Sequence, residues 1–247
     1  MKLPSPTVWK TLFRAHFPPN LSYFSIFTNI ASSIAGYPNW EMDGAKVTLI
    51  DWEKRRNAML DYQSFAIEQD SGDLELETAS IENLLARVPK ELGLKELTRL
   101  GYRRKYLLAV EISFESLVAI MNTKLLRQAE LGEFLPAISD SLFVFNSAGK
   151  PYSYNITIAP VRKTELLRAL EFNQQFHLNP RGKAKDYEKV AEAHPNTAML
   201  IDVDFFQSEA RIPLESIISF LTQGRHEMQR ITTALAAYCF SAAPETT

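Results

Sequence analysis

Cysteine is almost missing from this chain: 247 residues contain one, Cys239. A lone thiol excludes an internal disulfide and any zinc centre built from several thiolates. Long hydrophobic runs are missing as well. No apolar stretch approaches the ~18 residues that a membrane-spanning helix needs. The opening segment, MKLPSPTVWKTLFRAHF, has no apolar core followed by a small-residue cleavage site. No signal peptide is therefore expected, and the default compartment is the cytoplasm. There is no low-complexity tract, and the 9 glycines and 13 prolines are scattered as punctuation. Neither sign of charge prevails: 27 basic residues stand against 29 acidic ones, for a net charge of −2. That balance excludes whole-chain electrostatic attraction to nucleic acid. Also absent are H-E-x-x-H, the G-x-S-x-G elbow, the P-loop and the dinucleotide fingerprint. No catalytic residue, metal or cofactor is assigned on this basis.

What remains is an ordinary globular composition, 46% apolar and 23% charged, with ample length to bury a core. Trp9, Thr11, Phe13, Ala15 and Phe17 recur at period two, which suits a half-buried strand. A helix capped by Ser5 with Pro6 at its first position is the competitor. Pro18-Pro19 ends the segment. Asn20 can cap a helix to about Ala35, with Phe24, Phe27, Ile30 and Ile34 on one side. Lys46–Glu53 and Ala58–Glu68 read as two strands of a hairpin. Ser80 precedes a helix that stops before Gly93, and Leu97–Ser113 is a long strand followed by a helix over Phe114–Arg127. A second hairpin turns at Ala148-Gly149-Lys150, a short helix spans Thr164–Asn173, and Leu178–Asn196 reads as a loop excursion. Ala198–Phe206 is a strand. Pro213 opens a last helix whose stripe is Leu214, Ile217, Leu221, Met228, Ile231, Leu235 and Tyr238.

This order predicts an α+β protein: antiparallel sheet, helices gathered on one face, and a long C-terminal helix. It suggests two imperfect ferredoxin-like (split βαβ) units, over residues 1–112 and 113–247. One continuous sheet gripped by the C-terminal helix is the rival.

The chemistry-bearing candidates lie on two strands. Asp202 and Asp204 share a strand face, roughly 6–7 Å apart, a spacing that could bridge a hard cation. Arg99, Arg103 and Lys105 share one face of the long strand, so the stronger expectation is a cross-strand ion-pair ladder. Arg99, Arg103, Arg104 and Lys105 could alternatively hold phosphate or RNA backbone, with Tyr102 and Tyr106 as stacking platforms. Arg181, Lys183 and Lys185 form a second basic element in the loop excursion.

Three segments together resemble one family. ELTRLGYRRKY (Glu96–Tyr106) looks like an R-L-G-x-R-Y strand, and MLIDVDF (Met199–Phe205) like an L-I-D-I-D strand. Arg225-His226 sits where a leucine-histidine pair marks a C-terminal amphipathic helix. These are features of a sporadically distributed family of uncharacterised bacterial proteins. The resemblance implies a bacterial source and, by the family's distribution, cargo of mobile or defence loci. It implies no catalytic residue. The expected function is non-catalytic: a partner or sensor subunit that binds another protein or a second copy of itself. The first alternative is an RNA-binding protein of tandem ferredoxin-like units, similar to the repeat-associated RNA-processing proteins of CRISPR systems. The second is metal-dependent phosphoryl transfer through Asp202 and Asp204.

Overall fold

The computed structural model describes residues 5–34, 36–51, 54–70, 78–126, 138–176 and 192–241. Its elements run β1 (Thr7–His16), α1 (Tyr23–Ser33), β2 (Asn39–Asp43), β3 (Lys46–Asp51), β4 (Arg56–Leu60), β5 (Ser64–Asp70), α2 (Thr78–Leu92) and β6 (Glu96–Ala109). The chain continues through α3 (Phe114–Leu125), β7 (Phe143–Ser147), β8 (Ser153–Arg162), α4 (Lys163–Phe176), β9 (Thr197–Pro213) and α5 (Ser216–Phe240). The strands form one antiparallel nine-stranded sheet in the order β2-β3-β4-β5-β1-β6-β9-β8-β7. The fold is α+β, with the long C-terminal helix expected from the apolar stripe. Among the described residues no helix is long and apolar enough to cross a membrane.

The strand order β4-β5-β1-β6 is what a split βαβ generates: a helical crossover leaves a gap that a returning hairpin fills. Here the returning meander carries two extra strands, β2 and β3. The second half departs from that pattern, because β9 inserts between β6 and β8. A second split unit starting at β6 would need both edges of β6, and β1 already holds one. β9 takes the other in register from Glu96↔Pro213 to Ala109↔Ala198.

Several boundaries differ from the sequence reading. Ala58–Glu68 is two strands, because Asp61 builds a turn: its Oδ1 accepts from Gln63 N at 2.8 Å and its Oδ2 from Ser64 Oγ at 2.8 Å. The edge strand β2 was not foreseen, since every residue in it is exposed. Pro213 ends β9 rather than opening α5. Trp9 does not share the face of Phe13. The pairing of β1 with β6 shifts between Val8 and Lys10, and this bulge turns Trp9 to the opposite side, where it packs near Leu107, Leu166 and Ala198.

One face of the sheet carries the main core. Phe13, Phe65, Leu100, Tyr102, Ile201, Val203 and Phe205 pack there with Tyr23 and Ile30 of α1, Leu84 and Val88 of α2, Met121 of α3, and Ile217, Phe220 and Met228 of α5. Tyr23, not Phe24, anchors α1; its hydroxyl donates to the Leu60 carbonyl at 3.0 Å. Ser113 caps α3 by accepting from Ser116 N at 3.1 Å. Gly93 stops α2 at a positive φ of 62°. Gly224 lets α5 lie close on the sheet: a Cβ there would stand 2.7 Å from the Phe205 ring and 3.1 Å from Tyr102. Leu166 of α4 packs on the opposite face with Leu107 and Ala198, leaving the rest of that face without a helix among the described residues.

Candidate functional site

Strand alternation decides what the open face presents. On β6, Arg99, Gly101, Arg103 and Lys105 point to it. β1 contributes Lys10, Leu12, Arg14 and His16; β9 contributes Asp202, Asp204 and Phe206; β5 contributes Glu68 and Asp70. Registers place Lys105 opposite Asp202, Arg103 opposite Asp204 and Gly101 opposite Phe206. The expected ladder is present. Arg103 grips Asp202 with two bonds, Nε to Oδ1 at 2.8 Å and Nη2 to Oδ2 at 2.6 Å. Lys105 Nζ reaches Asp202 Oδ2 at 3.6 Å, and Arg99 Nη2 reaches Asp204 Oδ2 at 3.7 Å. The bidentate fork is the strong form of such a pair, and Asp202 is only 5% exposed.

Lys10 stands directly opposite Lys105, which would repel if both were unpaired. Lys10 instead turns to Glu68 and Asp70. Burial pulls the Lys10 ammonium down, but Asp70 and Glu68 together raise it above the usual lysine value. Asp204 is held above the usual carboxylate value by burial, against the opposing pull of Arg99, Arg103 and an Asn155 hydrogen bond. His16 is lowered by burial, and further by Arg14 and Arg99, against Asp61. Arg99 also lies over the Phe206 ring, 4.6 Å from its centroid.

Three sequence candidates fall elsewhere. Arg104, Tyr102 and Tyr106 are on the helix-covered face and buried, Arg104 at 2% exposure with its guanidinium 5.2 Å from the Tyr102 ring centroid. The two tyrosines are therefore core, not stacking platforms, and Arg104 does not belong with Arg103. Period-two alternation places residue 104 with 102 and 106, under α5. Arg181, Lys183 and Lys185 lie outside the described residues. Lys10, Arg14, His16, Glu68 and Phe206 were not singled out from sequence. The same alternation that assigned Thr11, Phe13 and Ala15 to the core assigns Lys10, Arg14 and His16 to the other side.

As a metal centre the aspartate pair is poorly disposed. Both Asp202 oxygens accept from Arg103, and no group of three metal-ligating side chains occurs among the described residues. Comparison with protein-family models and with curated proteins finds nothing that matches this chain.

Proposed function

We propose that this chain is a non-catalytic binding subunit of a bacterial system, of the kind carried in mobile or defence loci, and that the open sheet face recognises its partner. One observation carries the reading. Five cations (Lys10, Arg14, Arg99, Arg103, Lys105) and four acids (Glu68, Asp70, Asp202, Asp204) share the part of a face that α4 leaves uncovered among the described residues, and most are already held in place by one another. Prefixed side chains lose little rotamer freedom on binding, so such a face favours specific association. The test is affinity capture from a bacterial lysate with the wild type and with Arg99→Glu/Arg103→Glu, both checked for cooperative melting. A partner held by the wild type and lost by the folded variant supports the reading. A partner retained equally by both moves the interface elsewhere.

RNA binding is the second reading, favoured by the small excess of cations on this face and by the split-βαβ order of the first half. A gel shift with generic RNA at physiological salt is expected to give no tight complex. Submicromolar affinity abolished by Arg99→Ala/Arg103→Ala would make RNA the ligand instead.

A further inference from the structure

Charge on the open face is balanced at one end and not at the other. Lys10 has Glu68 and Asp70; Arg103 and Lys105 share Asp202. At the opposite end Arg14, His16 and Arg99 stand together, with His16 directly across from Arg99 and Arg14 across from Gly101. Of the three, Arg99 alone makes an ion pair among the described residues, to Asp204 at 3.7 Å. Asp61 acts on His16 from the β4–β5 turn, but both its oxygens are taken by Gln63 N and Ser64 Oγ. Arg14 makes no ion pair among the described residues, and its Nε is buried without a hydrogen-bond partner. Gly101 lies between Arg14 on β1 and Phe206 on β9. It has no side chain, and the atoms nearest to an added Cβ are the Arg14 carbonyl oxygen at 3.8 Å and Asp204 Oδ1 at 4.0 Å. Phe206 flanks the same position and orients the Arg99 guanidinium by stacking.

We infer that the Arg14–His16–Arg99 corner is a binding site for a phosphate-class anion. Two guanidinium forks and an imidazole that can donate from both nitrogens match a tetrahedral dianion, and the buried Arg14 Nε gains the acceptor it lacks. The inference rests on the open face being the binding surface, and it names the chemistry recognised there.

His16 is a built-in reporter. Without ligand, burial, Arg14 and Arg99 keep its proton affinity below the ordinary value of 6.5. An anion in the corner neutralises that field and must raise it. The experiment follows the imidazole C2–H signals of the intact protein by NMR against pH, with inorganic phosphate, sulfate or a short oligouridylate at constant ionic strength. His16→Gln assigns its signal among the four histidines. We expect phosphate and sulfate each to raise the His16 titration midpoint. Arg14→Gln and Arg99→Gln should each weaken binding roughly ten- to a hundredfold. Arg230→Gln, on α5 across the sheet from this corner and paired with Glu227, should leave it unchanged. Tighter binding of oligouridylate, competed by phosphate, identifies a polynucleotide backbone as the source of the anion; binding of the free ions alone identifies a small phosphorylated ligand. A His16 midpoint that no probe moves overturns the site, as does equal weakening by Arg230→Gln. Either failure leaves the partner-capture result intact and so is distinguishable from failure of the functional reading.

Discussion

Replacing Gly224 by alanine sets two opposed effects against each other at one atom. In an unobstructed helix interior the change stabilises by about 1 kcal/mol, since glycine pays the larger backbone entropy. Here the added methyl would stand 2.7 Å and 3.0 Å from two carbons of the Phe205 ring and 3.1 Å from Tyr102. Neither ring has room to retreat. Phe205 is hemmed by Phe220, Tyr152 and Tyr154, with centroids 4.9, 4.7 and 5.4 Å away. Relief requires α5 to lift from the sheet, loosening Ile217, Phe220 and Met228 together. Forced overpacking costs about 1–3 kcal/mol, and this contact is at the severe end. The net expectation is a loss of about 1–2 kcal/mol, or roughly 2–8 °C in the melting midpoint of a chain this long. Gly101→Ala is the internal control. Its Cβ meets only ordinary contacts at 3.8 and 4.0 Å, and a strand interior gains from losing glycine. Thermal and urea melts of both variants decide the matter. A Gly224→Ala protein as stable as the wild type, or more so, would refute the packing argument.

Two further outcomes follow from buried titratable groups. Burial pushes the Cys239 thiol up to about 11, so little reactive thiolate exists at neutral pH. As the single cysteine, it should label with thiol reagents only as fast as α5 undocks, in step with unfolding in urea; rapid labelling of the folded protein would mean that α5 is not seated on the sheet. His16 gives a pH signature. Its folded proton affinity lies below 6.5, so the unfolded chain binds the proton first as pH falls. Stability from this group is complete above 6.5 and declines as pH drops from there toward the lower folded value. Asp204, raised by burial, acts in the opposite sense in a more acidic window above 3.8. His16→Gln should therefore flatten the urea midpoint across the histidine window and leave the acidic limb; an unaltered slope there would show that His16 does not titrate as its surroundings require.

Legibility varied with how local the signal was. The ladder could be read because period-two alternation on β6 and on β9 is local, and opposite charges on two strands suggest adjacency. The pooling of Arg104 with Arg103 ignored that same alternation. The edge strand β2 carries no buried residue to set a pattern, yet the Asp43-Gly44 step at its end is a hairpin signal, and Gly44, the first of the two turn residues before Lys46, has a positive φ of 56°. The last residues of β9, from Gln207 onward, are polar and read as loop; they are strand because β6 offers a partner that only tertiary pairing supplies. The bulge at Trp9 was invisible for a similar reason, since a register slip is a property of two strands and not of one. The cationic corner needed β1 and β6 laid side by side before Arg14, His16 and Arg99 became neighbours.

The position of β1 has a consequence for synthesis on the ribosome. β1 comes first among the sheet's strands in chain order yet lies in its interior, flanked by β5 and β6, and β6 in turn waits for β9. Phe13 and Ala15 therefore leave the exit tunnel long before the strands that will cover them. At typical elongation rates the interval from His16 to Ala109 is roughly 5–20 seconds. Until β5 emerges, β1 presents an apolar face and two unsatisfied backbone edges, and one edge stays open until β6 emerges; this is the form that holdase chaperones recognise and that pairs wrongly with neighbouring nascent chains. Stalled or truncated chains ending before β6 should accordingly be chaperone-bound or aggregated, and slowing translation ahead of β6 should lower the soluble yield more than slowing it after β9.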